Sequence, residues 1–275
     1  VKSGPGRGSL AAGGRGRPAA GLGLLALLAA LIAGGCGGGS SSSSGATEAS
    51  SGSGTLIVLG ASSLTEAVTK YGESFETAKV KPSFGGSDEL AAQIQQGVKA
   101  DVFASANTEY PQELFEEGLV DRPQVFAANE LVIAVPEGSD IKSLTDLTKP
   151  GTKLVIGDES VPVGSYTRTV LERLPAGERE AILANVVSEE TEVASLIAKL
   201  EQGAADAAFV YVTDEKGAEG LEPVELEASL QPQVEYGVAV VKSSDDKAAA
   251  EEFVAGLIDG EGQEDLREAG FLPPP

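Results

Sequence analysis

From about Thr55 to Leu272 the chain alternates short apolar runs with stretches whose apolar residues recur every three or four positions. "TLIVLG" has strand length, and Leu64, Ala67, Val68, Tyr71 and Phe75 then follow the spacing of one helix face. "KVKPSFGG" predicts a second strand and turn, with Leu90, Ile94 and Val98 on the next helix. "ADVFASAN" reads as a third strand. Pro111 suits the first turn of the helix "PQELFEEG", which Gly118 ends. "ELVIAVP" reads as a fourth strand. The second half repeats this grammar. "KLVIGD", "DAAFVYVTD" and "EYGVAVVK" predict strands; "YTRTVLERL", the Val193, Leu196, Ile197 and Leu200 face, "KAAAEEFVAGLID" and "GQEDLREAG" predict helices. Alternating strand and helix implies an α/β fold with mostly parallel sheets. The pattern alone leaves open whether this is one large domain or two lobes.

The N-terminal end reads differently. Lys2, Arg7, Arg15 and Arg17 precede the short apolar stretch "AAGLGLLALLAALIAGGC", which ends in small residues and the only cysteine. A basic segment, an apolar segment and small residues in that order predict a signal peptide over 1–35. "CGGGSSSSSGATEASSGSG" predicts a flexible tether over 36–54. A single cysteine also excludes an intrachain disulfide.

Charge and composition then remove whole classes of function. The net charge is −22, and loss of 1–35 would take away four positive charges and leave −26. Nucleic-acid binding needs basic surface to replace counterions, so it is not expected. Histidine is absent, which removes the commonest metal ligand and general base. No cationic metal site is expected either. A Ser-His-Asp triad is impossible, and "GASSL" carries Leu64 where a nucleophile elbow needs glycine. No phosphate-binding G-x-x-x-x-G-K-[ST] occurs.

In open α/β sheets, ligands bind beyond the carboxyl ends of strands. Those ends carry "GASSLT", "FGGSDEL", "GDESVPVGSYT" and "VTDE", and a further helix starts near "SEETEVAS". Small and hydroxyl residues at helix starts suit an anion, through free N–H groups, partial positive charge and O–H donors. Taken singly, each has a plainer reading. Ser63-Leu64-Thr65-Glu66 fits a capping box, Ser87 fits a helix cap, and Tyr211 and Val193 fit the core.

In order, "IVLGASSLTEAV", "SFGGSDELAAQI", "ADVFASAN", "NELVIAVP", "GDESVPVGSY", "AAFVYVTD" and "EYGVAVV" resemble the extracytoplasmic molybdate-binding proteins of ABC transporters, over nearly all of residues 55–272. "AGGC" resembles a bacterial lipobox, which implies cleavage before Cys36 and a lipid on its sulfur. The resemblance implies the two-lobed type II periplasmic-binding-protein fold, with the ligand cleft between lobes joined by two strand crossovers. By position, lobe one is expected over 55–133 and 238–272, and lobe two over 134–237. Carried over, the ligand contacts fall on the hydroxyls of Ser63, Ser87 and Tyr211 and on the backbone N–H groups of Val163 and Val193. The family commonly has alanine at the Val163 position.

A shell without Lys or Arg suits molybdate or tungstate, dianions that accept hydrogen bonds and donate none. None of the five positions is acidic, which argues against phosphate. The implied protein is no enzyme and needs no cofactor. It is expected as a monomer that works with an ABC permease and its ATPase. The implied location is extracytoplasmic, held at the outer face of the membrane through Cys36, or periplasmic. A receptor for sulfate or another small oxyanion is the alternative within the class. An α/β enzyme and a sensory surface lipoprotein are the alternatives outside it.

Overall fold

A computed structural model describes residues 54–275. The elements run β1 (Thr55–Ala61), α1 (Thr65–Ser74), β2 (Lys79–Gly85), α2 (Ser87–Gln95), β3 (Val102–Ser105), α3 (Glu109–Glu116), β4 (Gln124–Asn129) and β5 (Leu131–Pro136). There follow β6 (Leu154–Gly157), α4 (Pro162–Glu172), α5 (Ala176–Leu183), β7 (Val186–Glu190), α6 (Val193–Glu201), β8 (Ala207–Tyr211), α7 (Val212–Gly217), β9 (Leu221–Glu225), β10 (Val234–Val240), α8 (Lys247–Asp259) and α9 (Glu261–Glu268). A short 3-10 turn, Ser62–Leu64, joins β1 to α1.

Two five-stranded sheets result, in the orders β2-β1-β3-β10-β4 and β7-β6-β8-β5-β9. In each, three strands are parallel, and a fourth (β10 or β5) runs antiparallel between its neighbours. Each sheet, with its helices, is one lobe of a type II periplasmic-binding-protein fold. β3, β8 and the first five residues of β5 are wholly buried, which explains why they read as continuous apolar runs. Edge strands β2 and β7 alternate instead, and Pro82 is tolerated in β2 because that strand is an edge. The same alternation hid β7 from the sequence pattern, and β4, β9, α5 and α7 were not anticipated there either.

The chain changes sheets at Glu130, between β4 and β5, and again over residues 226–233, between β9 and β10. Both changes come a few residues before the boundaries expected at 133/134 and 237/238. "NELVIAVP" reads as one strand, yet Asn129 pairs in the first sheet and Leu131 in the second. Gln231 fastens this crossing: its amide accepts from the Leu131 N–H at 3.2 Å and donates to the Leu131 carbonyl at 2.8 Å.

Parallel register is what positions the loops. Ala61 lies opposite Gly85, so the turns after β1 and β2 leave the first sheet side by side. Gly157 lies opposite Glu190, so the turns after β6 and β7 do the same in the second sheet.

Candidate functional site

These turns close around one small cavity between the lobes. Ser62, Ser63, Gly86, Ser87 and Ala106 line it from the first lobe, and Pro162, Val163, Glu192, Val193 and Tyr211 from the second. Traced by the centre of a water-sized sphere, its volume is about 20 Å³. Treated as a sphere, and with the ~1.4 Å water radius added, this is a hole roughly 3 Å in radius. A tetrahedral oxyanion fits such a space.

Every helix that begins at this cavity begins without a side-chain cap. The first N–H groups of a helix have no partner within it, and they carry partial positive charge. Gly86 is the residue before α2, Glu192 the residue before α6 and Tyr211 the residue before α7. Pro162 occupies the first position of α4, where a missing N–H costs nothing, so Val163 carries the first amide proton of that helix. Two glycines let α4 seat against the end of β6. A Cβ on Gly164 would fall 1.8 Å from the Asp158 carbonyl oxygen, and one on Gly157 would fall 2.6 Å from the Gly164 nitrogen.

Four hydroxyl residues, Ser62, Ser63, Ser87 and Tyr211, add to these amides. Ser87 is 1% exposed, and its oxygen accepts from the Ala106 N–H at 3.1 Å, so its proton is free for a ligand. Tyr211 is 1% exposed, and its hydroxyl has no hydrogen-bond partner among the described residues. A buried unpaired O–H is costly, and here it belongs to the cavity wall. Burial holds the Tyr211 pKa well above the ordinary phenol value, so the group stays a donor. Ser63 shares a 3.0 Å hydrogen bond with the Tyr236 hydroxyl.

Ser63, Ser87, Val163, Val193 and Tyr211 therefore line one cavity together. Two expectations change. Neither serine caps a helix: Ser63 sits inside the 3-10 turn before α1 and turns to Tyr236, and Ser87 is already the first residue of α2, after Gly86, with its side chain on the Ala106 N–H. The lining is also not free of acid, because Glu192 belongs to it. Burial and the charge of Glu89 both raise the Glu192 pKa. No sequence signal marked Glu192, since a residue before a helix is indistinguishable from any exposed loop acid until β7 is known. Cys36 and the signal segment lie outside the described residues, as does the tether up to residue 53.

Across the mouth, Ser160 Oγ of the second lobe lies 3.0 Å from Asp88 Oδ2 of the first, and the Tyr110 hydroxyl donates to the Ser160 carbonyl. Among the described residues no cluster of three or more potential metal ligands occurs, and no helix is long and apolar enough to cross a membrane.

Residues 56–272 match the family model of bacterial extracellular solute-binding proteins. The molybdate-binding protein ModA of Mycobacterium tuberculosis H37Rv is 36% identical over 233 residues, covering 82% of this chain and 87% of that one. The periplasmic molybdate-binding protein of Azotobacter vinelandii is similar in structure, with a TM-score of 0.71 at 22% identity over 80% of this chain and 100% of that one. The sulfate-binding protein SubI of Mycobacterium tuberculosis H37Rv also gives a TM-score of 0.71, at 16% identity, over 80% of this chain and 87% of that one. At those identities the two structures speak for the fold alone, and one fold serves two different oxyanions.

Proposed function

The chain belongs to the bacterial extracellular solute-binding protein family, and from that premise we propose that it captures molybdate for an ABC importer, with tungstate as a second ligand. The observation that carries this reading is the cavity itself. Its size suits a tetrahedral oxyanion, and it is walled by four hydroxyl residues and uncapped helix starts, with no Lys or Arg in the lining. The 36% identity to a protein named for molybdate binding supports the choice of ligand.

In this reading Ser63, Ser87 and Tyr211 donate O–H bonds, and Val163 and Val193 donate N–H bonds. A bond to a charged acceptor is worth roughly 1.5–3 kcal/mol. Five of them sum to roughly 7.5–15 kcal/mol, a range that brackets the ~8 kcal/mol of micromolar binding before lobe closure and ligand ordering are deducted. The chain catalyses nothing in this role. It acts as a monomer and hands its cargo to a permease driven by an ATPase. It works outside the cytoplasm, and a lipid on Cys36 holds it at the membrane.

Calorimetry of the purified protein with molybdate, tungstate, sulfate and phosphate in separate runs tests the reading. Tight binding of molybdate and tungstate, with weak binding of the other two, is expected. Equal affinity for sulfate and molybdate would favour the general oxyanion receptor. No binding of any oxyanion would remove the class. The phosphate run carries extra weight, because Glu192 supplies the kind of acceptor that a protonated anion needs.

A further inference from the structure

We propose that Tyr236 is a positioning residue for the anion site: with Asn129 it forms a buried hydrogen-bond relay that makes Ser63 a fixed proton donor into the cavity. This rests on the reading of Ser63 as a ligand contact.

The relay has one consistent polarity. Asn129 Oδ1 accepts from the Glu130 N–H at 2.9 Å, which sets which end of the amide is which. The Asn129 Nδ2 group then points its two protons elsewhere. One goes to Thr213 Oγ1 at 2.9 Å, and the other faces the Tyr236 hydroxyl oxygen at 3.5 Å. Tyr236 is fully buried. With an amide proton directed at its oxygen, its own proton goes to Ser63 Oγ, 3.0 Å away. Ser63 thus accepts from Tyr236, and its remaining proton is left for the cavity that it lines.

The tyrosine ring has little freedom to rearrange. Phe126, Tyr211 and Phe271 contact it edge to face, with centroids 6.2, 5.8 and 5.2 Å away. The relay is also anchored across the lobes. Asn129 ends β4 at the change of sheet, whereas Thr213 belongs to α7 of the second lobe. A serine without this partner could rotate and either donate or accept. A serine held in this way keeps its proton turned toward the cavity. An anion that accepts at every oxygen satisfies it. An anion whose own O–H pointed here would meet a second proton.

A double-mutant cycle tests the inference, with affinity for molybdate and phosphate read by calorimetry and folding checked by thermal melting. Tyr236→Phe keeps the ring and removes only the hydroxyl. Ser63→Ala is expected to weaken molybdate binding about 10- to 100-fold, and Tyr236→Phe about tenfold. The double variant is expected to match Ser63→Ala alone within about twofold, because the tyrosine acts through the serine. Tyr236→Phe should also narrow the gap between molybdate and phosphate, which a merely structural role would not do. Losses that multiply in the double variant would overturn the relay while leaving Ser63 as a contact. A Tyr236→Phe protein with wild-type affinities for both anions would overturn it as well. A Ser63→Ala protein of unchanged affinity would remove the site assignment and the relay together.

Discussion

Gly86→Ala separates the fold from its closure. Gly86 precedes α2 with φ −63° and ψ 136°, a conformation that alanine adopts freely. A Cβ there would lie 2.4 Å from the carbonyl oxygen of Thr191 and 3.5 Å from Val161 Cγ1, both in the second lobe. Its one close neighbour in its own lobe is the Asp88 carboxylate at 2.7 Å, a side-chain end whose other oxygen is held by Ser160 of the second lobe, so turning it away loosens the cleft further. Thr191 cannot turn away, because its carbonyl belongs to the backbone between β7 and α6. The lobes must part by most of an ångström at this point, and Val193 sits two residues from the obstruction. Loss of two charge-assisted bonds across the cleft, at roughly 1.5–3 kcal/mol each, amounts to a fall in affinity of about two to four powers of ten. Stability of the ligand-free protein should hardly move. Alanine is a poorer residue than glycine before a helix, by about 1 kcal/mol at most, while the lost flexibility of the unfolded chain returns roughly 0.4–1 kcal/mol. Calorimetry with molybdate and a melting curve without it decide the matter. Wild-type affinity in Gly86→Ala would show that the ligand does not need the lobes this close. A collapse of the melting temperature would show that the glycine serves the first lobe instead.

Tyr211→Phe should weaken molybdate binding about 10- to 100-fold and, because the unpaired buried hydroxyl goes, leave the ligand-free protein as stable as wild type or up to about 1–3 kcal/mol more so; calorimetry and chemical denaturation measure the two effects. Tyr110→Phe removes a hydrogen bond between the lobes and should raise the rate of ligand release by about tenfold at most, read by stopped-flow displacement. Asp214 has a buried carboxylate oxygen without a partner, and burial raises its pKa to about 7 from an ordinary 3.8. The folded state therefore keeps a proton that the unfolded chain releases, so this group makes stability fall as pH rises from about 4 to 7, by ~1.4 kcal/mol per pH unit at most, and leaves it level above that. Asp214→Asn should flatten that fall in melting curves taken across the range; an identical pH profile would show that the carboxyl is not held neutral.

Periodicity made the buried strands legible because burial on both faces leaves a continuous apolar run, as in "AAFVY". It missed "VVSEE" and "LEPVE", edge strands whose apolar runs are broken by charged and proline residues. The five candidate contacts were readable only through an ordered set of similar segments. Nothing in "GASSLT" alone distinguishes a cap from a cavity wall, and the capping-box spacing pointed the wrong way for Ser63. The partner that claims this hydroxyl, Tyr236, lies 173 positions along the chain, and no local pattern reaches that far. Glu192 and Gly86 were hidden for a related reason. Their roles depend on which turn faces which across the cleft, and this follows from strand register and lobe contact.

Glu192 and Asp214 also bear on how so acidic a chain could hold a dianion. Net charge acts through solvent and is screened over about 8 Å at physiological ionic strength, so the −22 of the whole chain slows approach more than it opposes occupancy. What matters inside is the state of the few acids near the wall. Asp214 lines the neighbouring groove together with Ser63, and its raised pKa leaves it partly protonated near neutral pH. Glu192 is shifted in the same direction by burial and by Glu89. The burial that excludes water and strengthens every hydrogen bond to the ligand therefore also favours the neutral form of these two carboxyls. A lysine or arginine would offset those charges equally well, but it would attract any anion of the right size. Fixed O–H and N–H donors attract the anion only where its own oxygens all accept, so the choice of neutral groups is a choice about protonation as much as about charge.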